Sequence, residues 1–332
     1  MKAVLVREFG PIANAKLEDC PDPTPQPGEV VVAPVVSEVN FPDVLVMEGR
    51  YQIKPPLPFS PGKCGAGHII AVAPGVSGLK VGDRIAFQVE YGAYAERLRA
   101  KAAHCYPMSD GMDFATAAAL GLTYLTAYLA LRARANFKSG ETVLVLGASG
   151  GVGIASIQLA KAFGASRVIG AARGARGTRV AREAGADDVI DLTMPNLHDR
   201  LREEVARMTD GHGADVVIDS VGGDAHQAAM RAIAWSGRIV IVGFASGDIP
   251  AIRGNYLLVK NITATGLQWS DYREREPERV AAAQREIFGL YGAGKFKPHI
   301  GLRVPLAEFA RALAALQAGS VSGRILLDVN AG

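Results

Sequence analysis

The sequence is short of the residues from which metal lobes and disulfide frameworks are built. Its 332 residues include 3 cysteines, Cys20, Cys64 and Cys105, and no CxxC pair, which argues against both a stapled scaffold and a four-cysteine zinc lobe. Its 6 histidines, His68, His104, His198, His212, His226 and His299, form no HExxH or other close pair. No run of Lys and Arg resembles a nucleic-acid arm, although the net charge is +3. Met1–Phe9 is too short an apolar run before Arg7 and Glu8 for a signal peptide, and reads as a first strand. Long hydrophobic runs are also missing, apart from the uncharged Phe114–Leu131. Thr116, Gly121, Thr123, Tyr124, Thr126 and Tyr128 lower the hydrophobicity of that segment, which reads as a buried helix between domains rather than a membrane span. With 49% hydrophobic and 21% charged residues, a globular cytoplasmic protein is expected.

What is present is a glycine-rich turn between a strand and a helix. Thr142–Leu146 is apolar, and Gly147-Ala-Ser149-Gly150-Gly151-Val152-Gly153 leads into an apolar-periodic stretch to Phe163. The spacing departs from strict GxGxxG. A pyrophosphate needs free backbone N–H groups at a helix N-terminus with no side chains in the way, so Ser149, Gly150, Gly151, Val152 and Gly153 are candidate dinucleotide contacts. The alternative is a tight structural turn. About 20 positions on, where an acidic residue would take a ribose 2′-OH, the second strand ends in Ala171-Ala172 and continues Arg173-Gly-Ala-Arg176. Two guanidiniums and no carboxylate favour a 2′-phosphate and hence NADPH. Otherwise they are solvated loop charges.

From Gly140 to about Gly266, apolar strands alternate with helices. Strands read at Thr142–Gly147, Arg167–Ala172, Val189–Leu192, Asp215–Asp219, Arg238–Val242 and Ile262–Gly266. Helices read at Gly151–Phe163, Arg176–Ala184, Leu197–Met208 and Ala225–Ala234. This is the pattern of a doubly wound parallel sheet. Before it come short strands among turn residues, at Glu29–Val35, Gly67–Val72, Arg84–Phe87 and Ala93–Arg99. After it come a helix from Pro277, a strand near Ile300–Val304, a helix over Leu306–Ala318 and a last strand, Gly323–Val329. A tail with strand character can return to the N-terminal domain, placing the active cleft between the two domains.

The order of these pieces resembles the medium-chain dehydrogenase/reductase superfamily, and within it the zinc-free NADPH:quinone oxidoreductases related to zeta-crystallin. The likeness rests on Gln26-Pro-Gly-Glu-Val30, Val39-Asn-Phe-Pro-Asp43, Glu48-Gly-Arg-Tyr51, Val81-Gly-Asp-Arg-Ile85 and Gly92-Ala-Tyr-Ala-Glu96. It continues through Gly121-Leu-Thr123, the glycine turn, Asp219-Ser-Val-Gly-Gly223, Val242-Gly-Phe-Ala-Ser-Gly247 and Gly323-Arg-Ile-Leu-Leu327. It implies an α/β protein: a GroES-like irregular β catalytic domain, residues 1–125 and 267–332, plus a doubly wound Rossmann NADPH-binding domain, 126–266. It also implies a homodimer extended through the sixth-strand region.

Zinc-dependent members carry Gly-His-Glu where this chain has Gly62-Lys63-Cys64. An ammonium is a poor zinc ligand, so the site is expected to be metal-free, with Cys64 a buried thiol. Without a Lewis acid, hydride transfer needs an acceptor that is already electrophilic: a quinone, or failing that a 2-alkenal or enoyl thioester. By resemblance Asn40, Asp43 and Tyr51 line the catalytic cleft, with Asn40 and Tyr51 donating to the substrate oxygen and Tyr51 able to deliver a proton. Asp43 could instead cap a helix over Val44–Met47, and Tyr51 could be a packed loop aromatic. Leu45 and Met47 replace an aromatic and an arginine frequent in the family, implying a more aliphatic pocket; Leu192 replaces a phosphate-side tyrosine. The resemblance places Thr123, Phe244, Ala245, Leu267 and Trp269 beside the nicotinamide half, and Arg324 on the phosphate side. Thr123 could be an ordinary helix threonine, and Trp269 a junction anchor. A reading of another class, a non-catalytic NADPH-binding structural or sensor protein, sits poorly with an intact turn beside Asn40 and Tyr51.

Overall fold

A computed structural model describes residues 1–330. The chain divides into two compact units: Met1–Leu122, Ser270–Gly292 and the stretch from Lys297 onward form the first, Thr123–Trp269 and Ala293–Phe296 the second. The return of Ala293–Phe296 to the second unit was not foreseen from sequence.

The second unit is built on a six-stranded parallel sheet, in the order Asp188–Asp191, Arg167–Ala172, Thr142–Leu146, Ala214–Asp219, Ile233–Ile241, Thr263–Gly266. Helices Gly151–Ala162, Gly174–Glu183, Leu197–Met208 and Gly223–Ala232 connect successive strands. The run Val143–Leu146 is fully buried because a parallel strand is covered on both faces. The strand order steps outward from the first strand in both directions, so the loops after the first and fourth strands meet at the carboxyl edge. That crevice is where this architecture holds ligands.

The first unit carries a seven-stranded sheet. Its path runs Ile300–Pro305, Arg324–Asp328, Glu29–Val39, Cys64–Val72, Arg84–Gln88, Cys105–Pro107, with Leu98–Lys101 also pairing Glu29–Val39. Alternate residues of these strands, among them Val30, Val32, Ile69, Ile85 and Leu327, fill one core. The last strand therefore lies against the long strand that starts near residue 29.

Two segments differ from the sequence reading. Phe114–Leu131 is a pair of helices, Phe114–Ala119 and Leu122–Leu129, and not one rod. The break falls at Gly121, where a Cβ would lie 2.7 Å from the Gln88 amide nitrogen. Ala93–Arg99 begins as turn and ends as strand: Ala93 and Tyr94 donate their N–H groups to Gly62 and Pro61, Ala95 bridges to Ala3, and Leu98 and Arg99 start the strand Leu98–Lys101. Among the described residues no helix is long and apolar enough to cross a membrane.

Candidate active site

The glycine turn takes its shape from close backbone approach. Gly147 has φ +71°, and a Cβ there would meet Ser220 Oγ at 2.7 Å. Ala148 N–H donates to Ala171 O at 3.0 Å, tying the turn to the second strand. Gly150 caps the helix Gly151–Ala162. Among the described residues no acceptor meets the N–H groups of Gly151, Val152 and Gly153. Three N–H groups at the positive end of a helix dipole, two of them on glycines, fit a pyrophosphate.

Arg173 and Arg176 are both exposed at the start of helix Gly174–Glu183, and Arg173 has no ion-pair partner among the described residues. Sequence reasoning missed the carboxylate beside them. Asp191 Oδ1 accepts the N–H of Gly174 at 2.8 Å, and the N–H and hydroxyl of Thr193 at 2.9 and 2.8 Å. Backbone hydrogen bonds from Thr193 and Gly174 hold this carboxyl below the usual range. The signal was available: in a parallel ladder the third strand's end must lie beside the second's, and Asp191 pairs with Ala172.

Of the other expected cofactor contacts, Thr123, Phe244, Ala245, Leu267 and Trp269 fall in the same unit, and Arg324 in the first. Ala245 N–H donates to Ser220 O at 3.1 Å, so the loop holding Phe244 folds over the loop after the fourth strand. That fourth-strand loop is set by a buried pair not singled out from sequence: Asp219 Oδ2 lies 2.7 Å from His226 Nδ1, and Oδ1 accepts the N–H groups of Val221 and Gly222. Leu267 follows the last strand and donates its N–H to Ile241 O at 2.9 Å; Trp269 begins the helix Trp269–Arg275. Thr123 opens the unit, and its buried hydroxyl has no partner among the described residues.

In the first unit a buried polar cluster replaces the open donors expected from sequence. Glu38 is fully buried on the strand Glu29–Val39. One carboxylate oxygen accepts Arg324 Nε; the other accepts the Cys64 thiol at 3.0 Å and Asn40 Nδ2 at 3.2 Å. Arg324 also donates to Asn40 Oδ1 at 2.6 Å. Two expectations are thereby corrected. Asn40 is 3% exposed with both amide groups engaged inside the protein, so it does not present a donor to a substrate. Arg324 has its guanidinium held by Glu38 and Asn40, so it does not close a phosphate site.

Asp43 performs the capping role. Its Oδ2 accepts Asn40 N–H and the Tyr94 hydroxyl, each at 2.8 Å, at the start of helix Phe41–Met47. The other oxygen is buried without a partner among the described residues, and burial pushes this carboxyl up to about 7. Gly62 permits the arrangement, because a Cβ at its φ of +91° would lie 2.3 Å from the Tyr94 ring. Met47 is core, so it adds nothing to a pocket wall.

Lys63 and Cys64 occupy the segment where zinc-dependent relatives carry histidine and glutamate. Lys63 Nζ donates to the Glu90 carbonyl at 2.9 Å and to its carboxylate, and lies 4.6 Å from the centre of the Tyr51 ring. The other Glu90 oxygen accepts Arg273 Nη2 at 2.9 Å. Burial, then Glu38, push the Cys64 thiol well up. Among the described residues no group of three His, Cys, Asp or Glu could hold a metal ion. Tyr51 is the member of the expected trio whose hydroxyl makes no hydrogen bond among the described residues; burial pushes its phenol up to about 12.

Comparison with known proteins identifies the family. Residues 26–149 match the family model of the alcohol dehydrogenase GroES-like domain, and residues 151–285 that of zinc-binding dehydrogenase. A quinone oxidoreductase-like protein 2 homolog of Nematostella vectensis is 36% identical over 292 residues, 87% of this chain and 79% of that protein. The native structure of a mycobacterial quinone oxidoreductase superposes with TM-score 0.91 at 31% identity, covering 99% of this chain and 100% of the other. Escherichia coli quinone oxidoreductase complexed with NADPH gives TM-score 0.90 at 29% identity, with coverage of 99% and 100%.

Proposed function

This chain belongs to the quinone oxidoreductase family of medium-chain dehydrogenases/reductases, and from that premise we propose that it is an NADPH-dependent reductase of quinones or related conjugated carbonyls, working without a metal. The observation that carries this reading is the state of Lys63 and Cys64. One is an ammonium bound to Glu90 and the other a protonated thiol bound to Glu38. Neither offers a lone pair to a metal without abandoning a buried partner, at a cost of several kcal/mol, about that of unpairing a buried charge. The acceptor must then be electrophilic by itself, as quinones and enones are.

NADPH, when bound, supplies the hydride from its nicotinamide. The chain's own residues position and protonate. The N–H groups of Gly151, Val152 and Gly153, with Ser149 and Gly150 shaping the turn, receive the pyrophosphate. Arg173 and Arg176 pair with the 2′-phosphate. Phe244, Ala245, Leu267, Trp269 and the Thr123 hydroxyl, which has no partner among the described residues, serve the nicotinamide half. Tyr51 gives a proton to the substrate oxygen. Purified protein should consume NADPH with 1,4-benzoquinone or 9,10-phenanthrenequinone, faster than NADH and unaffected by chelators. Arg173→Asp should raise KM for NADPH about 100-fold, or ~2.7 kcal/mol, and leave that for NADH within about threefold. A preference for NADH, or silence toward every quinone, overturns the reading.

The assembly proposed is a homodimer. The strand Thr263–Gly266 is the sheet's outer strand, bonded on one side only. Close by in sequence, Leu258 and Val259 are 80% and 74% exposed. An open strand edge beside bare aliphatic side chains is a surface that a second copy of the chain covers. Sedimentation should give twice the 34.9 kDa chain mass, and Leu258→Asp with Val259→Asp should return it to one. A wild-type monomer at micromolar concentration rejects this assembly.

A further inference from the structure

The cation beside Tyr51 counts against a metal but has no part in the reaction proposed above. Lys63 is 4% exposed, and its ammonium is fixed from two sides by one residue, through the carbonyl and the carboxylate of Glu90. Glu90 is held in turn by Arg273, which is 3% exposed. Two buried cations thus meet at the Glu90 carboxylate. Arg273 Nε also meets Glu274 at 3.2 Å, but Glu274 is half in solvent and pairs with Lys101. Around Tyr51, burial, then Glu90 and Asp43, oppose loss of the phenolic proton and Arg273 favours it, while the Lys63 ammonium lies over the face of the ring, 4.6 Å from its centre. The ionisable groups facing that ring are Lys63, Glu90, Asp43 and Arg273. Asp43, pushed up to about 7 by burial, is only partly ionised near neutrality, so its opposition to the phenolate grows as the pH rises.

Resting on the proposed role of Tyr51 as proton donor, we infer that Lys63 is a positioning residue for the reduction: clamped by Glu90 and Arg273, its ammonium holds the Tyr51 ring in place and offsets the negative charge that grows there as the hydroxyl loses its proton. In that step the Tyr51 O–H bond breaks and a new O–H bond forms on the reduced acceptor. The phenolate left behind takes a proton from water before the next turnover. A cation against the face of an aromatic ring is attracted to the phenol and more strongly to the phenolate. The arrangement supplies within the protein the positive charge that a metal supplies in zinc-dependent relatives. It does so through the proton donor, and not by contact with the substrate.

The test reads the acidity of Tyr51 in the full chain, without substrate or NADPH. Protein labelled with 3,5-difluorotyrosine, whose fluorines bring phenol ionisation into the range where the protein stays folded, is followed by fluorine NMR. The Tyr51 signal is the one lost in Tyr51→Phe. Lys63→Gln, which keeps a donor for the Glu90 carbonyl but no charge, should raise the Tyr51 midpoint by about one pH unit or more, and Lys63→Arg should restore it. In turnover, Lys63→Gln should lower kcat with the quinone up to about tenfold, with KM for NADPH unchanged and the basic limb of the pH profile moved upward. If Lys63→Gln does not fold, Glu90→Gln is compared with Lys63→Gln/Glu90→Gln, and the double variant should have the higher midpoint. An unmoved midpoint overturns the inference, as does a moved midpoint with unchanged kcat. Wild-type protein that reduces no quinone overturns the proposed function instead, because the midpoints are read without turnover.

Discussion

Gly153→Ala should abolish NADPH binding at concentrations about 100-fold above the wild-type Kd, a loss of at least ~2.7 kcal/mol, and should lower the melting temperature by several degrees. An alanine Cβ at this position would sit 2.1 Å from Gly147 O and 2.7 Å from Ala148 Cα. Both are backbone atoms, and neither can yield, because Gly147 O accepts the Gly150 N–H and Ala148 is bonded to the second strand. The helix Gly151–Ala162 must therefore move away from the turn, and its first N–H groups leave the place where a pyrophosphate would meet them. Overpacking of this kind costs about 1–3 kcal/mol or more, and roughly 2–4 °C per kcal/mol applies to chains of this order. Gly254→Ala is the control, since a Cβ there meets nothing within 4 Å. Titration of NADPH by fluorescence and a thermal melt decide the matter. Wild-type affinity in Gly153→Ala would remove the turn from the cofactor site.

The second large effect is expected in the buried cluster of the first unit. Glu38→Ala should cost about 3–5 kcal/mol of stability, because it leaves the Arg324 guanidinium unpaired in the interior. The Arg324 guanidinium would retain Asn40 Oδ1 alone among the described residues, and the Cys64 thiol would lose its carboxylate acceptor. Removing both charges, as in Glu38→Leu with Arg324→Met, should recover most of the loss, since an apolar pair of similar volume avoids the desolvation of two ions. Urea unfolding of the two variants separates these outcomes. A Glu38→Ala protein within about 1 kcal/mol of wild type would show that the pair is energetically idle.

The parallel sheet was legible because each strand is a short apolar run between helical stretches; Arg167–Ala172 and Leu197–Met208 fall where the pattern puts them. Where the reading slipped, a pairing partner decided the outcome. The strand expected from Arg238 starts at Ile233, because Ile233 pairs with Ala214 across a register shift. Trp235-Ser236-Gly237, with Ser236 at φ +61°, looks like a turn in sequence and is an irregularity inside the strand. The polar cluster was illegible for a stronger reason. Glu38 lies beyond the strand read from sequence at Glu29–Val35, and its partner stands 286 positions away. Resemblance assigned Asn40 and Arg324 to substrate and cofactor, but it could not show that Glu38 would claim them both. Lys63 was visible as a departure from the zinc pattern, whereas its clamp by Glu90 and Arg273 required the fold.

The second unit's residues interrupt those of the first along the sequence, which bears on how the molecule is made. During vectorial synthesis the parallel sheet is complete once Gly266 has left the ribosome, while the sheet begun at Glu29 still lacks Arg324–Asp328. Until those last residues emerge, the Glu38 carboxylate has no guanidinium to meet and must stay hydrated, which keeps that part of the nascent polypeptide loosely assembled. The segment born first is thus the one finished last, and a ribosome stalled just short of codon 324 should display a folded inner module on an unfinished host.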